Sequence, residues 1–400
     1  MKRWATLAAA LFALTASAVA QLTPLPTSAT TLVDVPGEPF TAVPTADGQW
    51  IFASLTDGKP AGIAVLHLVS QQWTLSRVVP NKEGLIGLAL THDGKMLLGT
   101  ESNGLTAFDV ERLESGARRP MIGGFKDEGA ESIVVAITAD DRFAFVSNER
   151  TATVSVFDLA QGRRRGFHPN LLGKIPVGEA PVGLALSPDG SRLYSTSEVA
   201  PDSYHWPKEF PSEGDPHGQI DTPAGVLAVI DVAVATKDPV HAVFQRTKAG
   251  SSPVRVIVSP DGARVYVTAR GSNAVEVFDS AKLESVPDQS LASQVNVGSS
   301  PVGIALSVDG HFLFVANSDR FAKAGQPQSV SVIDTTKLDT GVSLTIPAGE
   351  FPREIRMSTD GRTLVLTNFS SKTVEVVDIS SMNPSRMVTP SQPVPRAAAK

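Results

Sequence analysis

Between Glu198 and Gly225 the chain gathers His205, Trp206, Glu209, Glu213, Asp215, His217 and Asp221 among five prolines. Imidazole and carboxylate together suit several divalent ions, but this spacing matches no metal motif. The segment reads first as a loop covering a ligand or partner site. A passive surface loop and a metal site are the competing readings. A second set of groups is better suited to binding. Glu101, Glu149, Arg150, Arg270, Asp319 and Arg320 follow hydrophobic strands at related offsets, while Glu83, Glu131, Glu179, Glu350 and Arg353 lie between repeating units. Arg255 and Glu354 stand where Gly183 and Gly303 stand in equivalent segments, which aims them at a shared axis. The planar guanidinium fork fits carboxylate and phosphate bidentately. The expected ligand is therefore anionic or carbonyl-bearing, or an acidic partner surface. The candidate ligand-binding residues are Glu198, His205, Trp206, His217, Arg255, Arg270, Asp319, Arg320 and Arg353. For any one of them a solvated rim is the simpler reading. No catalytic residue, metal ligand or cofactor is assigned. The chain has no G-x-S-x-G elbow, phosphate-binding loop, G-x-G-x-x-G or H-E-x-x-H.

These groups need a scaffold, and a repeat supplies it. Asp47-Gly48, Asp93-Gly94, Asp140-Asp141, Asp189-Gly190, Asp261-Gly262, Asp309-Gly310 and Asp360-Gly361 recur at intervals of 46, 47, 49, 72, 48 and 51 residues. Ser187-Pro188-Asp189-Gly190 and Ser259-Pro260-Asp261-Gly262 read as type I turns, where proline presets φ and glycine accepts a positive one. An apolar strand precedes each turn, as in Pro301–Leu306, and another follows, as in Phe312–Val315. Alternating third strands end on Asp109, Asp158, Asp231, Asp279, Asp334 and Asp378, and a fourth strand precedes the next unit. Four short strands repeated seven times predict an all-β, seven-bladed propeller of four-stranded blades. The recurring aspartates read as turn scaffold. From turn Asp to third-strand end, units four and six span 42 and 25 residues, against 16 to 20 elsewhere. Both excesses fall between strands two and three, on the face of the blade-to-blade loops, where ligand sites gather.

Tyr266-Val267-Thr268-Ala269, Phe314-Val315-Ala316-Asn317, Phe145-Val146-Ser147-Asn148 and Leu366-Thr367-Asn368 are degenerate copies of one motif. Through them the chain resembles bacterial YVTN-repeat propellers, a group overlapping in sequence with the lactonase-like seven-bladed family, over roughly Thr31 to Ser380. The resemblance implies an exported binding module for a ligand or protein. It leaves open a lactonase-like hydrolase, with arginine polarising a carbonyl while a carboxylate or histidine activates water, and the propeller subunit of a periplasmic dehydrogenase.

Val33–Pro39 matches Ile175–Pro181, an outer strand running into the next unit, and the last unit lacks a fourth strand. The N-terminal strand is therefore expected to complete the last blade and cover its edge. Residues 1–20 read as a signal peptide: Lys2 and Arg3, an apolar run from Trp4 to Leu14, and Ala18-Val19-Ala20 before the cut. Residues 21–30 form a linker, 31–380 the propeller, and 381–400 a disordered Pro-containing tail. A periplasmic or secreted protein without membrane insertion is expected. With no cysteine, disulfides, thiolate metal sites and covalent c-type haem are excluded. A net charge of −6 disfavours nucleic acid.

Overall fold

The computed structural model describes residues 29–57, 60–160, 166–211, 221–320, 328–380 and 382. They form seven four-stranded antiparallel sheets, blades one to seven, whose inner strands begin at Pro39, Leu88, Ser132, Glu179, Pro253, Pro301 and Pro352. The closing strand is Thr30–Asp34. It pairs with Thr373–Asp378, Thr30 opposite Val377 and Asp34 opposite Thr373, and so completes blade seven as expected. Met382 is buried in the core between blades six and seven, so the packed body reaches past residue 380. The signal segment, residues 21–28 of the linker and the rest of the tail lie outside the described residues.

The second strands are apolar on consecutive positions because each faces a core on both sides. In blade six, Leu313 enters the cluster shared with blade five, and Phe314 the one shared with blade seven. In blade one, Ile51 faces blade seven and Phe52 faces blade two.

At all seven turns the aspartate accepts from the hydroxyl two residues before it and from the N–H two residues after it. Asp189 takes Ser187 Oγ at 2.5 Å and the Ser191 amide at 3.0 Å. The third-strand aspartates are also backbone caps. Asp109, Asp231 and Asp279 accept from the amides of Arg112, Val234 and Lys282, at the starts of helices α1 (Val110–Glu114), α2 (Val232–Ala235) and α3 (Ser280–Ser285).

A second hydroxyl series ties the blades together. Near the end of each second strand, at the Thr position of the repeated motif, stand Ser54, Thr100, Ser147, Thr196, Thr268, Ala316 and Thr367. Five of these hydroxyls donate to a carbonyl in, or just before, the inner strand of the next blade: Ser54 to Ile86, Thr100 to Ile133, Ser147 to Val182, Thr268 to Val302 and Thr367 to Phe40, the last across the closure. At the blade four to five junction the carbonyl of Val254 instead takes Arg255 Nη1 at 3.0 Å. Blade six presents Ala316, which has no hydroxyl to give.

Thr268→Val should cost about 1–3 kcal/mol, because the Val302 carbonyl loses its donor in a buried setting. Asp189→Asn should cost at most about 1 kcal/mol, the amide oxygen still serving the turn. The Ser187 hydroxyl, then the Ser191 amide, hold the Asp189 carboxyl down to about 2. Its ionised form therefore adds stability above the ordinary carboxylate value, and that contribution is lost as pH falls toward 2. Urea melts at pH 7 and pH 3 check both points. The Asn variant should show a smaller acid loss than wild type, and Thr268→Val the larger cost at pH 7.

Candidate functional site

The central channel holds two chambers separated by a buried ion pair. Arg255 and Glu354, on the inner strands of blades five and seven, meet at 2.8 Å with side chains 7% and 4% exposed. The space they need comes from glycines. A Cβ on Gly183 would fall 2.9 Å from Arg255 Cα, and one on Gly303 would fall 3.0 Å from Glu354 Cα. Burial alone would raise the Glu354 carboxyl. Arg255, Arg356 and Arg353 outweigh it and hold the carboxyl below its ordinary value.

The chamber at the starts of the inner strands has a volume of about 430 Å³. Its aliphatic wall is Ile133, Val182, Val254 and Val302, and its charged lining is Glu149, Glu198, Arg255, Arg270, Arg320 and Arg353, with Phe351 at the edge. All four aliphatic residues give carbonyls that the hydroxyl series or Arg255 engages. The chamber at the other mouth, about 390 Å³, is walled mainly by aliphatic side chains of the later inner-strand positions.

The charged groups of the first chamber are unequally matched. Arg270 and Glu198 pair at 2.8 Å. Arg353 makes no hydrogen bond or ion pair among the described residues, and its Nε is shut off from solvent without a partner. Its guanidinium lies 3.9 Å from the ring centre of Phe40, with Phe369 and Phe351 at 5.4 and 5.5 Å. Burial, then the charges of Arg255 and Arg270, push Arg353 down to about 9, so it stays a cation at neutral pH without a counter-charge of its own. Arg255 Nη2 is likewise buried and unpaired. Phe351 adopts a left-handed backbone, φ 52°, where a bulky residue is strained, immediately before blade seven's inner strand. Burial, then Glu198 and Glu131, push the Glu149 carboxyl up.

Of the candidates read from sequence, Glu198, Arg255, Arg270, Arg320 and Arg353 converge on this chamber. His205, Trp206 and Asp319 do not line it. His205 is exposed. Trp206 packs edge-on to Tyr204, whose ring lies 4.6 Å from the Arg246 guanidinium on blade four's outer strand, so this part of the insertion leans outward along its own blade. The insertion also forms a small hairpin, Lys208–Pro211 with Asp221–Pro223. His217 lies outside the described residues. Glu101 is internal to blade two, buried and accepting from Asn81, Thr106 and Lys126. Glu149 and Phe351 are lining residues that the candidate set omitted. The signal for Glu149 is an offset: Glu149, Glu198, Arg270 and Phe369 each stand two residues after the strand-two hydroxyl. Among the described residues no three His, Asp or Glu side chains cluster as metal ligands. Among them, too, no helix is long and apolar enough to cross a membrane.

A family model described as YNCE-like beta-propeller matches residues 223–393. No curated protein matches the sequence. Among solved structures, the chain is similar to Kuenenia stuttgartiensis hydrazine synthase, at 17% identity and a TM-score of 0.63, covering 86% of this chain and 96% of that one. It is also similar to a functionally unknown protein from Desulfotomaculum acetoxidans DSM 771, at 12% identity and a TM-score of 0.56, covering 79% and 86%. At such identities the likeness is one of fold: the chain is a seven-bladed β-propeller.

The ion pair under the chamber makes a stability prediction. Arg255→Met leaves Glu354 buried with only the Arg356 contact at 3.3 Å, and should cost about 3 kcal/mol or more. Adding Glu354→Met removes the stranded charge and should recover much of that loss. Chemical denaturation of the single and double variants checks it. A double variant less stable than Arg255→Met would refute the pair's role.

Proposed function

We propose that this chain is an exported YVTN-type β-propeller that binds a small anionic ligand at the channel mouth, in the periplasm or outside the cell. The observation that supports the reading best is Arg353. A guanidinium held among three aromatic rings, close to three other arginines and without a carboxylate of its own, is costly unless an anion completes it. An acidic side chain of a protein partner would use the same contacts. Export rests on the Lys2-Arg3 start, the apolar run and Ala18-Val19-Ala20. A mature chain recovered from the periplasm should begin at Gln21 by intact mass, and a retained leader there would count against export.

A lactonase-like hydrolase is the second reading. It is favoured by one observation: a carboxyl raised by burial, Glu149, lines the same chamber as Arg353, as a water-activating base beside a carbonyl-polarising cation would. Turnover of a lactone panel by wild type, lost in Glu149→Gln, would support it.

For the binding reading, small carboxylates and inorganic phosphate should raise the melting temperature in a concentration-dependent way. Arg353→Met should weaken the best of them at least about tenfold, since a hydrogen bond to a charged group is worth roughly 1.5–3 kcal/mol. Calorimetric titration measures the ratio. No stabilisation of wild type by any anion at millimolar concentration would end the reading.

A further inference from the structure

We infer that the ligand of this mouth is a hydroxy or amino acid: a carboxylate seated on Arg353, with a neighbouring hydroxyl or ammonium that donates to Glu149. The inference rests on the anion-binding reading above and adds the second half of the ligand.

The two carboxylates lining the chamber are not equivalent. Glu198 is committed to Arg270 at 2.8 Å. Glu149, one blade earlier at the same offset from the strand-two hydroxyl, makes no hydrogen bond or ion pair among the described residues. Arg150, the next residue, is exposed and engages Glu131 on the rim, so it does not neutralise its neighbour. Beneath the floor, Glu354 is taken by Arg255 and Arg356. The chamber therefore offers one cation and one hydrogen-bond acceptor that lack partners among the described residues, Arg353 and Glu149, both on its lining.

A plain carboxylate satisfies only half of this. It would neutralise Arg353, whose charge with that of Arg270 now partly offsets Glu198 and Glu131 at Glu149, and so bring a second negative charge beside a carboxyl already pushed up. A donor beside the ligand's carboxylate places a hydrogen toward Glu149 and relieves both the repulsion and the unmet acceptor. A hydroxyl or an ammonium does this, and a methylene does not. Val182, Val302 and Phe351 leave apolar wall for the carbon skeleton, and the volume of about 430 Å³ accommodates acids larger than the shortest members of the class.

The test compares acids that differ in this one group. Malate and aspartate are titrated against succinate, and 2-hydroxybutyrate against butyrate, on the full mature chain by calorimetry. Wild type should prefer the donor-bearing member of each pair by about tenfold or more. Glu149→Met should erase that preference, while Glu131→Gln, on the rim, should retain it. Melting curves confirm that each variant is folded, and if Glu149→Met does not fold, the wild-type ratios alone decide. Equal binding of the paired acids by wild type overturns this inference and leaves the anion reading standing. Failure of every acid and of inorganic phosphate to bind overturns the anion reading itself. A preference that survives in Glu149→Met overturns the role given to Glu149.

Discussion

The channel mouth depends on the hydroxyl that five of the seven second strands donate to the next blade. The inner strand is the part of a blade nearest the axis, with few neighbours on the channel side to fix it. A bond such as Thr268 to the Val302 carbonyl, 2.9 Å, sets its height and tilt from outside. The same bond satisfies a buried acceptor that water cannot reach. The ring is closed twice, by the ladder of Thr30–Asp34 on blade seven and by Thr367 donating to Phe40. The second link also fixes Phe40, the ring on which Arg353 lies. Closure and the setting of the Arg353 guanidinium therefore meet in one residue.

The series departs from its pattern at two junctions, and both carry the site. At Val254 the carbonyl is met by Arg255, which also reaches across the axis to Glu354. At the junction into blade seven the donor position is Ala316, and the inner strand there carries Arg353 and Glu354. At the other junctions the residue whose carbonyl is held is apolar: Ile86, Ile133, Val182, Val302 and Phe40. Where the hydroxyl is missing or bypassed, the strand bears charge. The Arg255–Glu354 pair then acts as a floor between the two chambers. Such a pair is weak evidence of stability, because its desolvation cost is large. Its position between two cavities makes it a partition, and it keeps the arginine-rich chamber apart from the aliphatic one.

How much of this was legible in the sequence can be traced residue by residue. The turns were, because Asp189 and its six counterparts serve local hydrogen bonds that need only neighbours in sequence. Closure was too, because Val33–Pro39 repeats an outer-strand pattern. Arg255, at a glycine position, and Arg270, two residues after its strand-two hydroxyl, line one chamber with Arg320 and Arg353. The failures arise from one-residue differences in offset. Glu101 stands one residue after its hydroxyl and turns into the blade, where it accepts from Thr106 of strand three, as Asn148 and Asn317 donate to Ser155 and Ser331 of theirs. Glu149 stands two residues after and faces the axis. In a strand that step reverses the side chain's face. The insertion is legible only in part. Its length stands out in the sequence, but the direction in which a loop leans depends on what it packs against. That contact, Tyr204 on Arg246, belongs to tertiary structure.

The electrostatics of the mouth run against those of the whole chain, and the contrast restricts what can enter. The net charge is −6, and this face carries Glu83, Glu131, Glu179 and Glu350, of which Glu83 pairs with Lys126 and Glu131 with Arg150. At physiological salt such exposed charges are screened beyond about 8 Å, so they repel a small anion only weakly on approach. A polyanion spans many Debye lengths and meets the whole rim at once. Its phosphates are also too far apart to concentrate on one guanidinium cluster at the bottom of a pit. Inside the mouth, low-dielectric walls of valine and phenylalanine focus the field of Arg353 and its neighbours over a few ångströms. In the anion-binding reading proposed above, an acidic surface and a basic pit together would act as a size filter, and neither would select a small charged molecule on its own.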